Sequence, residues 1–214
     1  MGDIGLRERK KRETRLALSL ATIRLSVERG WDTVTVEDIA TAANVSVRTF
    51  RNYFSSKAEA VASRHLERME QMAEELLARP AAEPLWDAVI AAVLDRFALG
   101  QQSDDRPEGR EWADGIRLML GQPAVQSAVL EANAAAERTL AAAVATRTGT
   151  DAGRDLYPNL AAAAIGAACS AAIDHSLRAN PPQPVLPLLR AALEQLAAGL
   201  PVPPPESTVR QEKS

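Results

Sequence analysis

Along the amino-terminal part of the chain, Leu16, Leu20, Ile23 and Val27 recur at intervals of four, three and four residues. That is the period of one helical face. The run stops at Gly30, which is expected to cap the helix in left-handed geometry. Two short helices are predicted next, over 36–43 and 47–54, parted by Asn44-Val45-Ser46. Asn44 tolerates a positive φ, and Thr35 and Ser46 stand where amino-terminal caps belong. Ser56-Lys57-Ala58-Glu59 has the form of a capping box. The helix behind it meets no proline before Pro80 and is predicted to reach Arg79. Beyond the joint at Pro80 and Pro84, helices are predicted over 85–99, 108–119, 123–147, 156–179 and 185–199, with a polar loop at 101–107. No stretch combines strand alternation with hairpin turns. The expected fold class is therefore all-α, with a three-helix helix-turn-helix head over 1–57, a linker helix and helical body over 58–200, and a tail at 201–214 whose composition reads as disordered.

Composition narrows the function classes. With 46% hydrophobic and 25% charged residues in 214, the chain has the make-up of a globular protein. One cysteine excludes a disulfide within the chain and a thiolate zinc cage, and no cofactor is expected. The charged start lacks the apolar core of a secretory signal. The most apolar run, Leu160–Ile173, is 14 residues of mostly alanine, short for a bilayer span. A soluble, cytoplasmic protein without a membrane partner is expected. The net charge of −3 hides a split: residues 1–57 carry eleven Lys/Arg against seven Asp/Glu, and the remainder fourteen against twenty-one. A basic head on an acidic body suggests that one end meets a polyanion.

The informative segment runs from Thr35 to Lys57, TVEDIATAANVSVRTFRNYFSSK. Val36, Ile39, Ala40, Val45, Phe50 and Phe54 can form a small core, which turns Val47, Arg48, Thr49, Arg51, Asn52 and Tyr53 outward from the second short helix. Arginine forks onto guanine edges, asparagine pairs with adenine, and hydroxyls reach phosphates, so this mixture suits a major groove. Arg9-Lys10-Lys11-Arg12 can either add backbone affinity or simply be a solvated helix start.

On order, spacing and position, residues 9–60 resemble the tetracycline-repressor (TetR) family of bacterial transcription regulators. The likeness rests on the helix ending at Gly30, Thr33-Val34-Thr35-Val36-Glu37-Asp38-Ile39-Ala40, Ala43-Asn44-Val45-Ser46, Thr49-Phe50-Arg51-Asn52-Tyr53-Phe54 and Lys57. It implies a DNA-binding dimer released by a small-molecule effector, most simply a repressor on a near-palindromic operator. Carried onto this chain, Thr35, Tyr53 and Lys57 would contact phosphates. Val47, Arg48, Thr49, Arg51 and Asn52 would face the groove, with Arg48 and Asn52 on base edges. A fainter likeness of the second half to actinobacterial regulators of the mycofactocin-associated type hints at an acyl-thioester ligand.

In the body, Ala164, Ala168, Ala171 and Ala172, with Val185, Leu188, Leu189, Ala192, Leu193 and Leu196, can form a four-helix interface between two copies or an internal core. Trp86, Phe97, Trp112, Arg117, Met119 and His175 are candidate pocket residues, the large side chains because the body is otherwise alanine-rich. Cys169 reads as a small buried hydrophobe rather than a redox sensor. Two other function classes remain: a ligand-independent DNA binder, and an all-α enzyme with an accessory head. The sequence carries none of the His-Glu-x-x-His, G-x-S-x-G or phosphate-loop patterns an enzyme would need.

Overall fold

The computed structural model describes residues 2–103 and 110–202. Among them the chain is helical throughout: α1 Gly2–Arg29, a 3-10 turn at Trp31–Thr33, α2 Val36–Ala42, α3 Val47–Tyr53, α4 Lys57–Ala78, α5 Leu85–Ser103, α6 Arg110–Leu120, α7 Pro123–Thr148, α8 Leu156–Arg178 and α9 Val185–Ala197. The all-α expectation holds. Helix α5 continues through Ser103 into the stretch expected to be a polar loop, whose residues 104–107 lie outside the described residues. So does most of the expected tail, at 203–214.

Two cores organise the molecule. In the head, Leu18, Ala21 and Leu25 of α1 close over Ile39, Phe50 and Phe54, with Ala60 of α4 joining them. Fully burying a side chain such as Leu18, Ile39 or Phe50 stabilises the fold by about 1.5–3 kcal/mol. In the body, α4 packs along α7, α7 against α8, α8 against α9, and α9 against α5. Met69, Met72 and Leu76 of α4 meet Val93, Leu140, Val144, Ile165, Leu189 and Leu193 there. A third cluster bridges the two: Ile23 and Trp31 from the head side pack with Ala58, Val61, Ile116, Met119 and Val125.

That bridge corrects the reading of α1. The stripe of Leu16, Leu20, Ile23 and Val27 is only half-buried, whereas Leu18, Ala21 and Leu25 are buried on the opposite side. Helix α1 is sandwiched, with one face in the head core and the other toward α6, and the regular spacing marked the second. Gly30 also departs from expectation. It ends α1 with φ 87° and ψ 145°, outside left-handed helical geometry and in a region that glycine alone adopts readily. At α4, Ser56 caps as expected, accepting from the Glu59 N–H at 3.1 Å. The Glu59 carboxylate, however, accepts from the N–H and hydroxyl of Ser55, each at 2.7 Å, so the reciprocal half of the box is displaced by one residue.

Of the two alternatives for α8 and α9, the internal core takes most of the named residues, Val185, Leu188, Ala192 and Leu196 among them, while Ala171 is exposed. Leu189 and Leu193 are fully buried within the chain, and Ala168 and Ala172 also pack into the body core. What α8 leaves outside is another strip, Leu156, Leu160, Ala163, Ala167 and Ala171. Its 23 residues are long and apolar enough to pass as a membrane span on composition alone, but a third of its most apolar stretch is buried in the bundle.

Candidate nucleic-acid interface and body cavity

The helix-turn-helix is built by local chemistry. Thr35 opens α2 with a full capping box: its hydroxyl accepts from the Asp38 N–H at 3.1 Å, and the Asp38 carboxylate accepts from the Thr35 N–H at 2.9 Å. The Thr35 hydroxyl also donates to the Asp38 carboxylate at 2.6 Å, and this bond together with that from the Thr35 N–H holds the Asp38 carboxyl below the usual carboxylate range. Asn44 then adopts φ 54°, and the Val45 N–H donates to Ala40 at 2.9 Å, turning the chain. Ser46 caps α3 by accepting from the Thr49 N–H at 3.0 Å. Phe50 and Phe54, buried with centroids 5.7 Å apart, then fix the rotation of α3 about its axis.

That rotation decides which side chains face outward. Arg48, Arg51 and Asn52 are exposed. Arg48 and Asn52 lie four residues apart on one face, with Val47 and Arg51 on the adjoining one. None of the three exposed polar residues has a hydrogen bond or ion pair among the described residues, and α3 holds no acidic residue. Thr49 and Tyr53 are half-buried at the flank, the Thr49 hydroxyl bonded to Ser46 at 2.8 Å. The Thr35 hydroxyl is engaged in the cap, although the residue is exposed.

Lys57 is placed differently from what the sequence suggested. Its ammonium donates to the carbonyls of Trp31 and, at 3.0 Å, Val34. It also lies 4.3 Å from the Trp31 ring centroid. Burial pushes its pKa down, opposed by Asp32. Lys57 thus ties the first turn of α4 to the segment leading into α2.

The candidate pocket residues do not converge. Phe97 is buried in the body core beneath the Arg68 guanidinium, which stands 4.4 Å from the ring centroid, and Trp86 packs on the same core. Met119 lies in the bridging cluster and Trp112 is half-buried on α6. Arg117 is exposed and paired with Asp114 at 3.0 Å, and His175 is exposed on α8. The space lies elsewhere, in a cavity of about 140 Å³ between α4, α7 and α8. His65 and Met69, Asn133 and Glu137, Ala167 and Ser170 line it. Burial pushes the His65 imidazole below its ordinary value, aided by the charge of Arg68 and opposed by a hydrogen bond with Asn133. His65 is not among the pocket residues expected from the sequence; it sits in the highly charged run Arg64–Glu70, a pattern that reads as a solvated helix face. Cys169 is 1% exposed, and burial pushes its thiol up to about 12, which keeps it protonated and unreactive.

Comparison with known proteins agrees with this architecture. The model described as bacterial regulatory proteins, tetR family, matches residues 20–62, and the MftR C-terminal domain matches 83–201. The HTH-type transcriptional regulator TcmR of Streptomyces glaucescens is 33% identical over 166 residues, covering 76% of this chain and 73% of that protein. Among solved structures, one described as a TetR-family transcriptional regulator from Syntrophomonas wolfei superposes with a TM-score of 0.59 at 15% identity, covering 90% of this chain and 98% of that one. The fatty acid degradation regulator FadR from Bacillus halodurans gives 0.56 at 17% identity, covering 87% and 96%. At these identities the two structures speak for the fold alone.

Proposed function

Because the chain belongs to the TetR family of bacterial transcription regulators, we propose that it is a cytoplasmic, ligand-responsive repressor that binds a near-palindromic operator as a homodimer. The observation that carries this reading is α3 itself, whose Arg48, Arg51 and Asn52 are exposed and, among the described residues, without a bonded partner, on a helix locked in rotation by the head core. In this reading Arg48 and Asn52 read base edges, Arg51, Val47 and Thr49 fill the groove beside them, and Thr35 and Tyr53 hold phosphates. Lys57 has a third proton left for a phosphate after bonding two carbonyls. The exposed apolar strip of α8 supports pairing of two copies, which would set two heads on successive half-sites.

The effector site in this reading is the cavity between α4, α7 and α8. A cavity of about 150 Å³ takes a molecule the size of benzene, so an acyl thioester would have to part the three helices. His65, Asn133, Glu137 and Ser170 offer hydrogen bonds to a polar ligand. Helix α4 supplies the coupling. It contributes His65 and Met69 to the cavity, while eight residues earlier, about 12 Å along the axis, Lys57 is bonded into the head. At its far end Arg147 donates to the carbonyls of Leu76, Arg79, Pro80 and Glu83 at 2.9–3.1 Å, pinning the corner. A ligand that displaces the middle of α4 would shift its amino-terminal turns, and the head with them, against the bridging cluster in which Ala58 and Val61 meet Ile116, Met119 and Val125. Swinging occupancy from 99:1 to 1:99 requires a preference between states of roughly 5.5 kcal/mol. No catalytic role is proposed, since the relatives are transcription regulators.

The test is selection of duplexes from a random pool by the purified protein, followed by titration of Arg48→Ala and Asn52→Ala. The expected outcome is a near-palindrome, with each substitution relaxing preference at one base pair by about 1–3 kcal/mol. A protein that selects no sequence, or variants as discriminating as the parent, would refute the assignment.

A further inference from the structure

Helix α1 begins well before the head does. From Arg7 onward the first fully buried side chain among those described is Leu18, and Arg7, Arg9, Lys10, Lys11 and Arg12 are all exposed. From Arg7 to Leu18 the helix advances about 16 Å, and residues 7–13, Arg-Glu-Arg-Lys-Lys-Arg-Glu, contain no apolar side chain. This segment cannot be a packing surface, because it has nothing apolar to bury.

The contact nearest to it shows which way it faces. The Arg15 guanidinium lies 5.1 Å from the centroid of the Phe54 ring, and Phe54 is the residue that closes α3. Positions four and eight residues before Arg15, Lys11 and Arg7, share its helical face. The stripe Arg7-Lys11-Arg15 therefore points to the side on which α3 ends, beside Tyr53. Arg12 flanks this stripe. Arg9 is drawn toward Glu13, 3.6 Å away, and Lys10 lies on another face. No ion pair holds Arg7, Lys11 or Arg12 among the described residues.

Resting on the DNA-binding reading of α3, we propose that the amino-terminal arm of α1 is a second DNA-contact site, in which Arg7, Lys11 and Arg12 grip backbone phosphates beyond the bases that α3 covers. Duplex DNA is the polyanion that α3 brings to this side, carrying about one charge per 1.7 Å of axis. The arm is long enough to follow several phosphates. Its arginine and lysine heads supply affinity without base discrimination.

The test compares the full-length parent with R7A/K11A/R12A and with R9A/K10A, on a duplex selected by the parent and on a scrambled duplex of equal length, from 50 to 250 mM salt. Each lost phosphate contact lowers the slope of log affinity against log salt by about 0.9. For a dimer, R7A/K11A/R12A is expected to lower it by up to about 5 and to weaken binding at least tenfold near 0.1 M salt. The ratio of selected to scrambled affinity should be unchanged, and circular dichroism should show an intact head. R9A/K10A should cost less than a third of that change in slope. Equal effects of the two variants would overturn the stripe, leaving only diffuse charge. An unchanged slope in R7A/K11A/R12A would overturn the arm while leaving the α3 reading intact. A parent with no sequence preference would overturn both.

Discussion

Gly115 of α6 lies against Val27 of α1, and substituting it tests how the two helices are joined. A Cβ built on Gly115 would lie 2.6 Å from Val27 Cγ1 and 3.3 Å from both Val27 Cβ and the Val27 carbonyl oxygen. Rotating the valine does not solve this, because the last two atoms do not move with χ1, and valine in a helix is held to one rotamer. Gly115→Ala must therefore push α1 and α6 apart by several tenths of an ångström, an overpacking cost of about 1–3 kcal/mol. Against that, alanine is the better helix former by about 1 kcal/mol, so the net change is expected to lie between zero and about 2 kcal/mol of destabilisation. The single variant is thus a weak test and the double-mutant cycle a strong one. In a Val27→Ala background the 2.6 Å contact with Cγ1 is gone and only the milder 3.3 Å contacts with Cβ and the carbonyl oxygen stay, so the helix-propensity term should bring Gly115→Ala close to neutral. Urea denaturation of the four proteins should give a coupling of at least about 1 kcal/mol. Operator affinity should follow the same pattern, falling for Gly115→Ala and recovering in the double variant, because the displacement is passed to the head. Additive stabilities would show that α1 and α6 are not in contact in solution, and the bridge between head and body would have to be redrawn.

Further expectations concern stability. Arg147→Ala removes four charge-assisted hydrogen bonds to the corner between α4 and α5; with water replacing part of them, the loss is expected to be about 2–4 kcal/mol, or roughly 5–15 °C in a thermal melt, and Arg147→Lys should recover less than half. A loss under 1 kcal/mol would show that the corner is held by other contacts. His65 has a folded-state pKa below its ordinary 6.5, so the unfolded chain takes up its proton first and stability should decline as pH falls through 6.5; His65→Gln should flatten that part of the profile, and identical profiles would remove His65 as its cause. The Ser26 hydroxyl is buried with no hydrogen-bond partner among the described residues. Ser26→Ala is expected to stabilise the head by about 1 kcal/mol, and a destabilised variant would reveal a partner for that hydroxyl.

The elements were legible in the sequence because they are decided locally. Asn44, Ser46, Thr35 and Pro84 act through the backbone within a few residues, and no distant contact is needed for Asn44 to turn the chain or for Ser46 to open α3. The outward set on α3 was readable for the same reason, since two phenylalanines four residues apart turn Arg48 and Asn52 away from the core. The faces of longer helices were not readable in this way. Helix α1 is packed on two sides: its one regular stripe, half-buried, lies against α6, while the head core takes Leu18, Ala21 and Leu25. The alanines of α8 and leucines of α9 could pack within the chain or between chains, and periodicity is the same in either case. A helix records that a residue is apolar but not which neighbour will cover it.

The same limit explains the cavity and Lys57. His65 stands among charges in the sequence, and it is half-buried only because α7 and α8 close over that part of α4. Lys57 looked like a free cation at a helix start, yet the loop at Trp31–Val34 folds back to bond it. Sequence alone determined helix order, most caps and the outward-facing residues of α3, because those depend on interactions spanning four residues or fewer. Tertiary structure decided which faces are covered, where space is left, and which charges are spent inside, because those depend on segments brought together from far apart in the chain.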